Sequence, residues 1–341
     1  MTTEISHPER SGNVPPEHLN VGQVLVAENR GTCGGVKMAI ETTRQVLDIV
    51  GGRELVYVNR AIVNNRPVMN SFGANLVNID NDWTKIPNGS ILLFSAHGVP
   101  PSFYEAAKAK NLLTIDTTCQ LVKRVHRLAK KTESEGKFVL YVGKTGHPET
   151  EGVLGEIDPK NRGFIEPDAD IQNLSLPIDR PTVVYSQTTL STKEIQATMQ
   201  ALRNRFSEVE IPNHWDICPA TDVRQQSITA MLGQIDALLV VGSDGSHNTE
   251  ELRKLGEIKR IPSFRIDEPS EIKPSWFGVG VASLGITSGA SVPEEYLEAV
   301  LDRFIKQRTP VVYLRQGRKE KPEMFRLPQK DIDALRLRYA A

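Results

Sequence analysis

Short runs of unbroken apolar residues alternate along the chain with longer segments that are apolar at helical spacing. Val21 to Glu28 (VGQVLVAE), Leu55 to Val58 (LVYV), Ile91 to Ser95 (ILLFS), Lys137 to Gly143 (KFVLYVG), Thr182 to Tyr185 (TVVY), Ala237 to Gly242 (ALLVVG) and Gly278 to Leu284 are of the first kind. Runs apolar at successive positions predict strands buried on both faces, as in parallel sheets covered by helices. Val36, Ile40, Thr43 and Val50, and further on Leu121, Val125 and Leu128, follow the helical period. Gly51-Gly52 stops the first of these helices.

The pattern also repeats. Tyr57, Gly143 and Gly242 each lie 24 residues after a cysteine, namely Cys33, Cys119 and Cys218. A second set of strand ends, Phe94, Tyr185 and Leu284, follows the same cysteines by 61, 66 and 66 residues. Such self-similarity predicts three copies of one α/β unit, over 21–118, 119–215 and 216–308, with the first strand free to pair with the third unit. Met1 to Asn20, polar with Pro8, Pro15 and Pro16, is expected to be a loose arm, and the strongly charged 309–341 a surface tail.

Each cysteine follows an apolar or extended run and precedes a helical one, in Gly31-Thr32-Cys33-Gly34-Gly35, Asp116-Thr117-Thr118-Cys119-Gln120 and Trp215-Asp216-Ile217-Cys218-Pro219. A thiol at a helix N-terminus faces free N–H groups and a positive dipole end, which favour the metal-binding thiolate. Three single cysteines suit zinc poorly, since structural zinc takes four ligands. They suit a [4Fe–4S] cluster, whose fourth iron is then left without a protein ligand and is open as a Lewis acid toward a substrate oxygen. The alternative is three unrelated core cysteines, against which their matching placement speaks. An odd number without close spacing forms no disulfide framework.

Composition narrows the field. Lys and Arg number 41 against 42 Asp and Glu, a net charge of -1, so no nucleic-acid partner is expected. No run reaches the length of a membrane span and the start lacks a secretory pattern, so no membrane partner and a cytoplasmic location are expected.

Polar, glycine-bracketed loops follow the strands, where open α/β sheets place ligand groups. They supply His97, His147, Thr188, Ser246, Asn248 and Ser291, a set of neutral donors and titratable imidazoles that suits a compact anion such as a diphosphate. His97 alone reads equally as a histidine closing a turn, and Asn248 as a helix cap. Glu149, two residues beyond His147, is placed to supply a proton, or simply to occupy a first helical turn. Ser191 with Glu194, and Ser291 with Glu294, match capping boxes, so in the second unit the ligand hydroxyl is assigned to Thr188.

These residues carry a family likeness. Arg30-Gly31-Thr32-Cys33-Gly34-Gly35-Val36, Ser95-Ala96-His97-Gly98-Val99, Asp116-Thr117-Thr118-Cys119, Gly146-His147-Pro148-Glu149-Thr150-Glu151-Gly152, Gln187-Thr188-Thr189-Leu190-Ser191, Asp216-Ile217-Cys218-Pro219-Ala220-Thr221 and Gly285-Ile286-Thr287-Ser288-Gly289-Ala290-Ser291 occur in the order found in the LytB family. The chain therefore resembles the 4-hydroxy-3-methylbut-2-enyl diphosphate reductases that end the methylerythritol phosphate isoprenoid route. The resemblance implies a trefoil of three α/β units around one [4Fe–4S] cluster per chain held by Cys33, Cys119 and Cys218. It also implies reductive removal of the substrate's allylic hydroxyl to give isopentenyl and dimethylallyl diphosphate, with electrons from ferredoxin or flavodoxin. His97, His147, Thr188, Ser246, Asn248 and Ser291 would then contact the diphosphate substrate, and Glu149 would deliver the proton.

Two departures fall among these positions. Asn64, in Ala61-Ile62-Val63-Asn64-Asn65, stands where the family pattern has a histidine, and His247, in Ser246-His247-Asn248, stands where it usually has serine. One imidazole is lost and one gained, so both residues are assigned to the substrate site. The exchange equally fits a paralogue acting on another allylic or phosphorylated substrate. A non-catalytic iron–sulfur redox sensor is the third reading, against which Glu149 speaks.

Overall fold

A computed structural model describes residues 18–339 apart from 168, 170, 213–216, 279–280, 316–318 and 321–324. Most of the expected arm, and the Trp215-Asp216 pair before Cys218, lie outside the described residues.

β1 (Val21–Val26) and α1 (Gly34–Val50) lead to β2 (Val56–Val58), α2 (Arg66–Ser71), β3 (Leu76–Asn78), β4 (Ile91–Phe94), α3 (Pro101–Ala109) and β5 (Leu113–Asp116). The middle of the chain forms α4 (Gln120–Ser134), β6 (Phe138–Val142), α5 (Pro148–Gly155), β7 (Arg162–Ile165), β8 (Thr182–Ser186), α6 (Thr192–Arg205) and β9 (Val209–Glu210). The last part holds α7 (Pro219–Met231), β10 (Ala237–Val241), α8 (His247–Ile258), β11 (Ser263–Ile266), β12 (Val281–Ser288), α9 (Glu294–Ile305), β13 (Val311–Tyr313) and α10 (Gln329–Tyr339).

The strands make three wholly parallel sheets, ordered β3-β2-β4-β5, β7-β6-β8-β9 and β11-β10-β12-β1-β13, and together they form the expected trefoil of α/β units. β4, β6, β8 and β10 are buried along their whole length, as continuous apolar runs require when helices cover both faces. The three orders are the same once β1 is given the place that β5 and β9 hold in their own sheets. Each of these strands delivers the chain to a cysteine at the start of the next helix. Every cysteine thus sits where the chain passes from one sheet to the next.

Two expectations fail here for long-range reasons. The apolar run in the third unit does not end at Leu284: β12 continues to Ser288, because β10 pairs with Gly285 to Ser288 and β1 with Gly285 and Ile286. Gly285 marks close packing rather than a strand end, since a Cβ there would lie 2.7 Å from Ile235 Cδ1. The expected surface tail is also part of the fold. β13 extends the third sheet beyond β1, and α10 buries Ile332 and Leu335, the latter in the core of the first unit. Only that narrow stripe of α10 is buried, Leu337 being exposed, and the surface it packs on, α1 and β5, lies far earlier in the chain, so local patterning leaves the helix looking like solvated charge.

Leu335→Ala is expected to lower stability by about 3 kcal/mol, the usual cost of emptying a well-packed leucine site. A urea-unfolding midpoint unchanged from the parent would show that α10 is dispensable to the first unit.

Candidate active site

All three cysteines occupy the N-cap position of a helix: Cys33 before α1, Cys119 before α4 and Cys218 before α7. In each case the N–H groups of the second and third helical residues stand beside the sulfur: Gly35 and Val36, Leu121 and Val122, Ala220 and Thr221. None of the sulfurs closes a hydrogen bond of capping geometry, and the Thr221 N–H donates to the Cys218 carbonyl at 2.9 Å. Burial pushes all three thiols up, Cys119 to about 12, and at Cys119 and Cys218 the neighbouring cysteine sulfurs add to the rise. The sulfurs are close enough to oppose one another's ionisation, so positive charge among them would be strongly favoured.

Each cysteine is fixed by the same backbone bond. Its N–H donates to a carbonyl in the loop after the equivalent strand of the preceding sheet: Cys33 to Ala290 at 3.0 Å, Cys119 to Ala96 at 3.0 Å, and Cys218 to Thr188 at 2.8 Å. Those loops carry Ser291, His97 and Thr188 itself. One cavity of about 120 Å³ is accordingly lined by Cys33, Cys119 and Cys218 together with Asn64, His97, His147, Glu149, Thr188, Ser246, His247, Asn248 and Ser291. Every site residue expected from the sequence faces it.

Three imidazoles, one from each unit, form a row along the cavity. His97 and His147 lie 6.0 Å apart between ring centres, and His147 and His247 6.3 Å, each pair edge to face. Burial holds all three below the ordinary histidine value, His97 at about 4 and His147 at about 3, with the Arg60 guanidinium lowering both further. His247 belongs to this row although the family pattern places no imidazole there. Its Nε2 is buried and has no hydrogen-bond partner among the described residues, and the same holds for Asn248 Nδ2.

Glu149 is buried near the start of α5, whose N-cap is His147. One carboxylate oxygen accepts the Thr188 backbone N–H at 2.8 Å and the other the Thr188 hydroxyl at 2.9 Å. Because the Thr188 carbonyl also holds Cys218, the carboxylate is registered against a cysteine through two short bonds.

Local details depart from the sequence reading. Ser191 and Glu194 do form a capping box. Ser291 and Glu294 do not: Pro293 is the cap of α9, Glu294 pairs with Arg30 at 2.9 Å, and the Ser291 hydroxyl donates to the Asn64 carbonyl at 3.0 Å. The cap of α8 is Ser246 rather than Asn248, whose Oδ1 accepts the Ala290 N–H at 2.9 Å. Two residues escaped notice. Arg60, paired with Glu151 at 3.0 Å, is a cation beside the imidazoles. Arg224, fully buried, binds the Gly31 and Ala220 carbonyls at 2.7 and 2.8 Å and the Glu320 carboxylate at 2.6 Å, joining the first and third cysteine loops to the C-terminal segment. A lone arginine on the buried side of α7 was the available signal.

The depressed histidines fix a pH dependence. Unfolded, His97 and His147 take up protons near pH 6.5, whereas folded they do so only near 4 and 3. The stability these two groups contribute is therefore complete above about pH 6.5 and falls as pH drops toward 4, by about 1 kcal/mol per pH unit for each histidine. Urea midpoints at pH 7.5 and 5 should show a smaller acid loss in His97→Gln than in the parent, and equal losses would contradict the assignment.

The LytB protein family model matches residues 24–305. A 4-hydroxy-3-methylbut-2-enyl diphosphate reductase of Burkholderia pseudomallei (strain 1026b) is 36% identical over 313 residues, 92% of this chain and 98% of its own. The reductase of the same name from Nocardia farcinica (strain IFM 10152) is 40% identical over 282 residues, 82% of each chain. Among solved structures, the E-1-hydroxy-2-methyl-but-2-enyl-4-diphosphate reductase of Plasmodium falciparum superposes with a TM-score of 0.87 at 28% identity, covering 93% of this chain and 99% of that one. With likeness running through nearly the whole length and three parallel-sheet units meeting at three helix-capping cysteines, this chain belongs to the LytB family.

Proposed function

We propose that this protein is an oxidoreductase that converts (E)-4-hydroxy-3-methylbut-2-enyl diphosphate to isopentenyl and dimethylallyl diphosphate. The observation that carries the reading is the single cavity in which three cysteines, a buried carboxylate–threonine pair and two orphaned nitrogen groups come together. The balance is one allylic alcohol, two electrons and two protons giving one alkene and one water.

Cys33, Cys119 and Cys218 would hold one [4Fe–4S] cluster. Among the described residues no three His, Cys, Asp or Glu side chains converge on a single metal ion, which suits sulfurs spread over the corners of a larger inorganic core. Gly35 fits the same purpose: a Cβ there would lie 2.5 Å from Cys119 Sγ. When bound, such a cluster accepts electrons one at a time and presents an iron without a protein ligand. Ferredoxin or flavodoxin would supply the electrons.

The remaining roles belong to the chain. Glu149 holds a proton for the departing hydroxyl, and Thr188, donating to that carboxylate, keeps it in place and can relay the proton in turn. The diphosphate lies among His97, His147 and His247, with Ser246, Asn248 and Ser291 as neutral donors and Asn64 offering its amide. The imidazoles are neutral without ligand, and an anion beside them favours their protonation, so charge balance is created on binding. His247 thereby restores the imidazole that Asn64 removes.

Anaerobically reconstituted protein with reduced methyl viologen is expected to turn over the hydroxymethylbutenyl diphosphate, and Glu149→Gln to keep iron content and substrate affinity while losing at least about 100-fold in rate. Normal rates in that variant would remove Glu149 from the mechanism. Tight binding without turnover by the parent would shift the reading to a different allylic substrate, which Asn64 and His247 motivate; neither binding nor turnover would favour a redox sensor. Gly35→Ala should fold but bind iron and sulfide well below the parent's stoichiometry after identical reconstitution, and a full complement would show that the close approach to Cys119 is not needed.

A further inference from the structure

The balanced overall charge conceals one uneven face. Of the three helices that begin at a cysteine, α1 carries Lys37 and Arg44 against Glu41 and Asp48, and α7 carries Asp222 against Arg224, which is buried on Glu320. α4 differs: Lys123, Arg124, Arg127, Lys130 and Lys131 stand against the single Glu133, an excess of four positive charges in 15 residues. Val122, Val125 and Ala129 fix the buried side, so the cations fall on the outer one, where Arg124, Arg127, Lys130 and Lys131 are exposed. Lys123 is held by Asp116 at 2.7 Å, and Lys130 and Lys131 lie 3.6 Å from Glu156 and Glu135. Arg124 and Arg127 have no carboxylate partner among the described residues; Arg127 Nε reaches only the Lys123 carbonyl, at 3.4 Å.

This face borders the cysteines. A surface depression of about 340 Å³ is lined by Lys123 and Arg127 and also by Thr118 and Gln120, the two neighbours of Cys119 in the chain. A second, smaller cavity touches all three cysteines, but its charged lining residue is the Glu320 carboxylate, so that approach presents no cation to an acidic partner. In the proposed reading the cavity that holds the imidazoles is given over to substrate.

Resting on the reductase reading, we infer that the outer face of α4 is the docking surface for a small acidic electron-carrier protein of the ferredoxin type. Electron transfer weakens steeply with distance, so a protein donor must seat close to a cysteine, and α4 begins at one. Encounters of this kind use small interfaces and are steered by opposite charge, which the α4 face supplies and the other two cysteine helices do not. Each docking event oxidises one carrier by one electron. Two events with two protons complete the reduction of one alcohol to alkene and water.

The test is calorimetric titration of the reconstituted, substrate-free protein with oxidised plant-type ferredoxin, in Arg124→Glu/Arg127→Glu and in the parent. The double variant is expected to bind at least about tenfold more weakly, and the parent's affinity to fall with added NaCl far more than the variant's. Methyl-viologen-driven turnover should be unchanged in the variant, which shows that its site is intact. Arg127→Gln, a milder change, should shift affinity in the same direction, and Arg44→Glu on α1 should leave it as it is. Equal affinity of double variant and parent, or an equal loss in Arg44→Glu, would overturn the assignment. Failure of the parent to turn over with viologen would instead sink the reductase reading, leaving the ferredoxin-binding result to stand separately.

Discussion

One backbone hydrogen bond, made three times, sets the geometry of this molecule. The N–H of each cysteine donates to a carbonyl in the loop after β12, β4 or β8. These bonds are enclosed by protein, and breaking one would leave a donor and an acceptor without partners at a cost of about 1–3 kcal/mol. The cysteine loops and the polar loops consequently cannot shift independently. Wherever the sulfurs are, Ser291, His97 and Thr188 are fixed relative to them, and Glu149 follows Thr188 through its own pair of bonds. The same bond explains the cyclic exchange of strands, since β5, β9 and β1 must lie beside β4, β8 and β12 for the next residues to reach those carbonyls.

Without ligands the cavity keeps its titratable groups neutral on both counts. Three thiols share an enclosed space that raises them all, and three imidazoles share one that lowers them all. The two shifts are complementary: positive charge nearby would favour the thiolates, and negative charge the imidazoliums. Near neutral pH the uncharged thiols and imidazoles cost the fold little, and its stability comes from the apolar parallel sheets that surround them.

The parts that could be read from sequence were those with a local period. The 24-residue interval between cysteine and strand marks the repeat because each unit builds the same helix and strand in the same order. The residues lining the cavity were legible because they sit at strand ends. What escaped depended on distant partners. β12 is longer than its apolar run because β10 and β1 flank it, the Ser291–Glu294 spacing is overruled by Pro293 and Arg30, and α10 is held by a surface formed by the first unit. Arg224 has no motif at all; its meaning lies in the loops it joins.

In the proposed reading, His247 shows how a position can change type and keep its task. It is the first residue of α8 and follows the Ser246 cap, so it sits at the positive end of a helix dipole, where an imidazolium is disfavoured. Burial works in the same direction, while the Glu251 and Glu194 carboxylates work against it. A serine there would offer a hydroxyl whatever the state of the cavity. A histidine offers a positive charge only when an anion outweighs the dipole and the burial. In the proposed reading the exchange with Asn64 therefore conserves the number of imidazoles but moves one of them to a helix N-terminus, where the free N–H groups of α8 and the ring address the same phosphate oxygens. The affinity of the site then depends on proton uptake at α8, which a plain count of donors would not reveal.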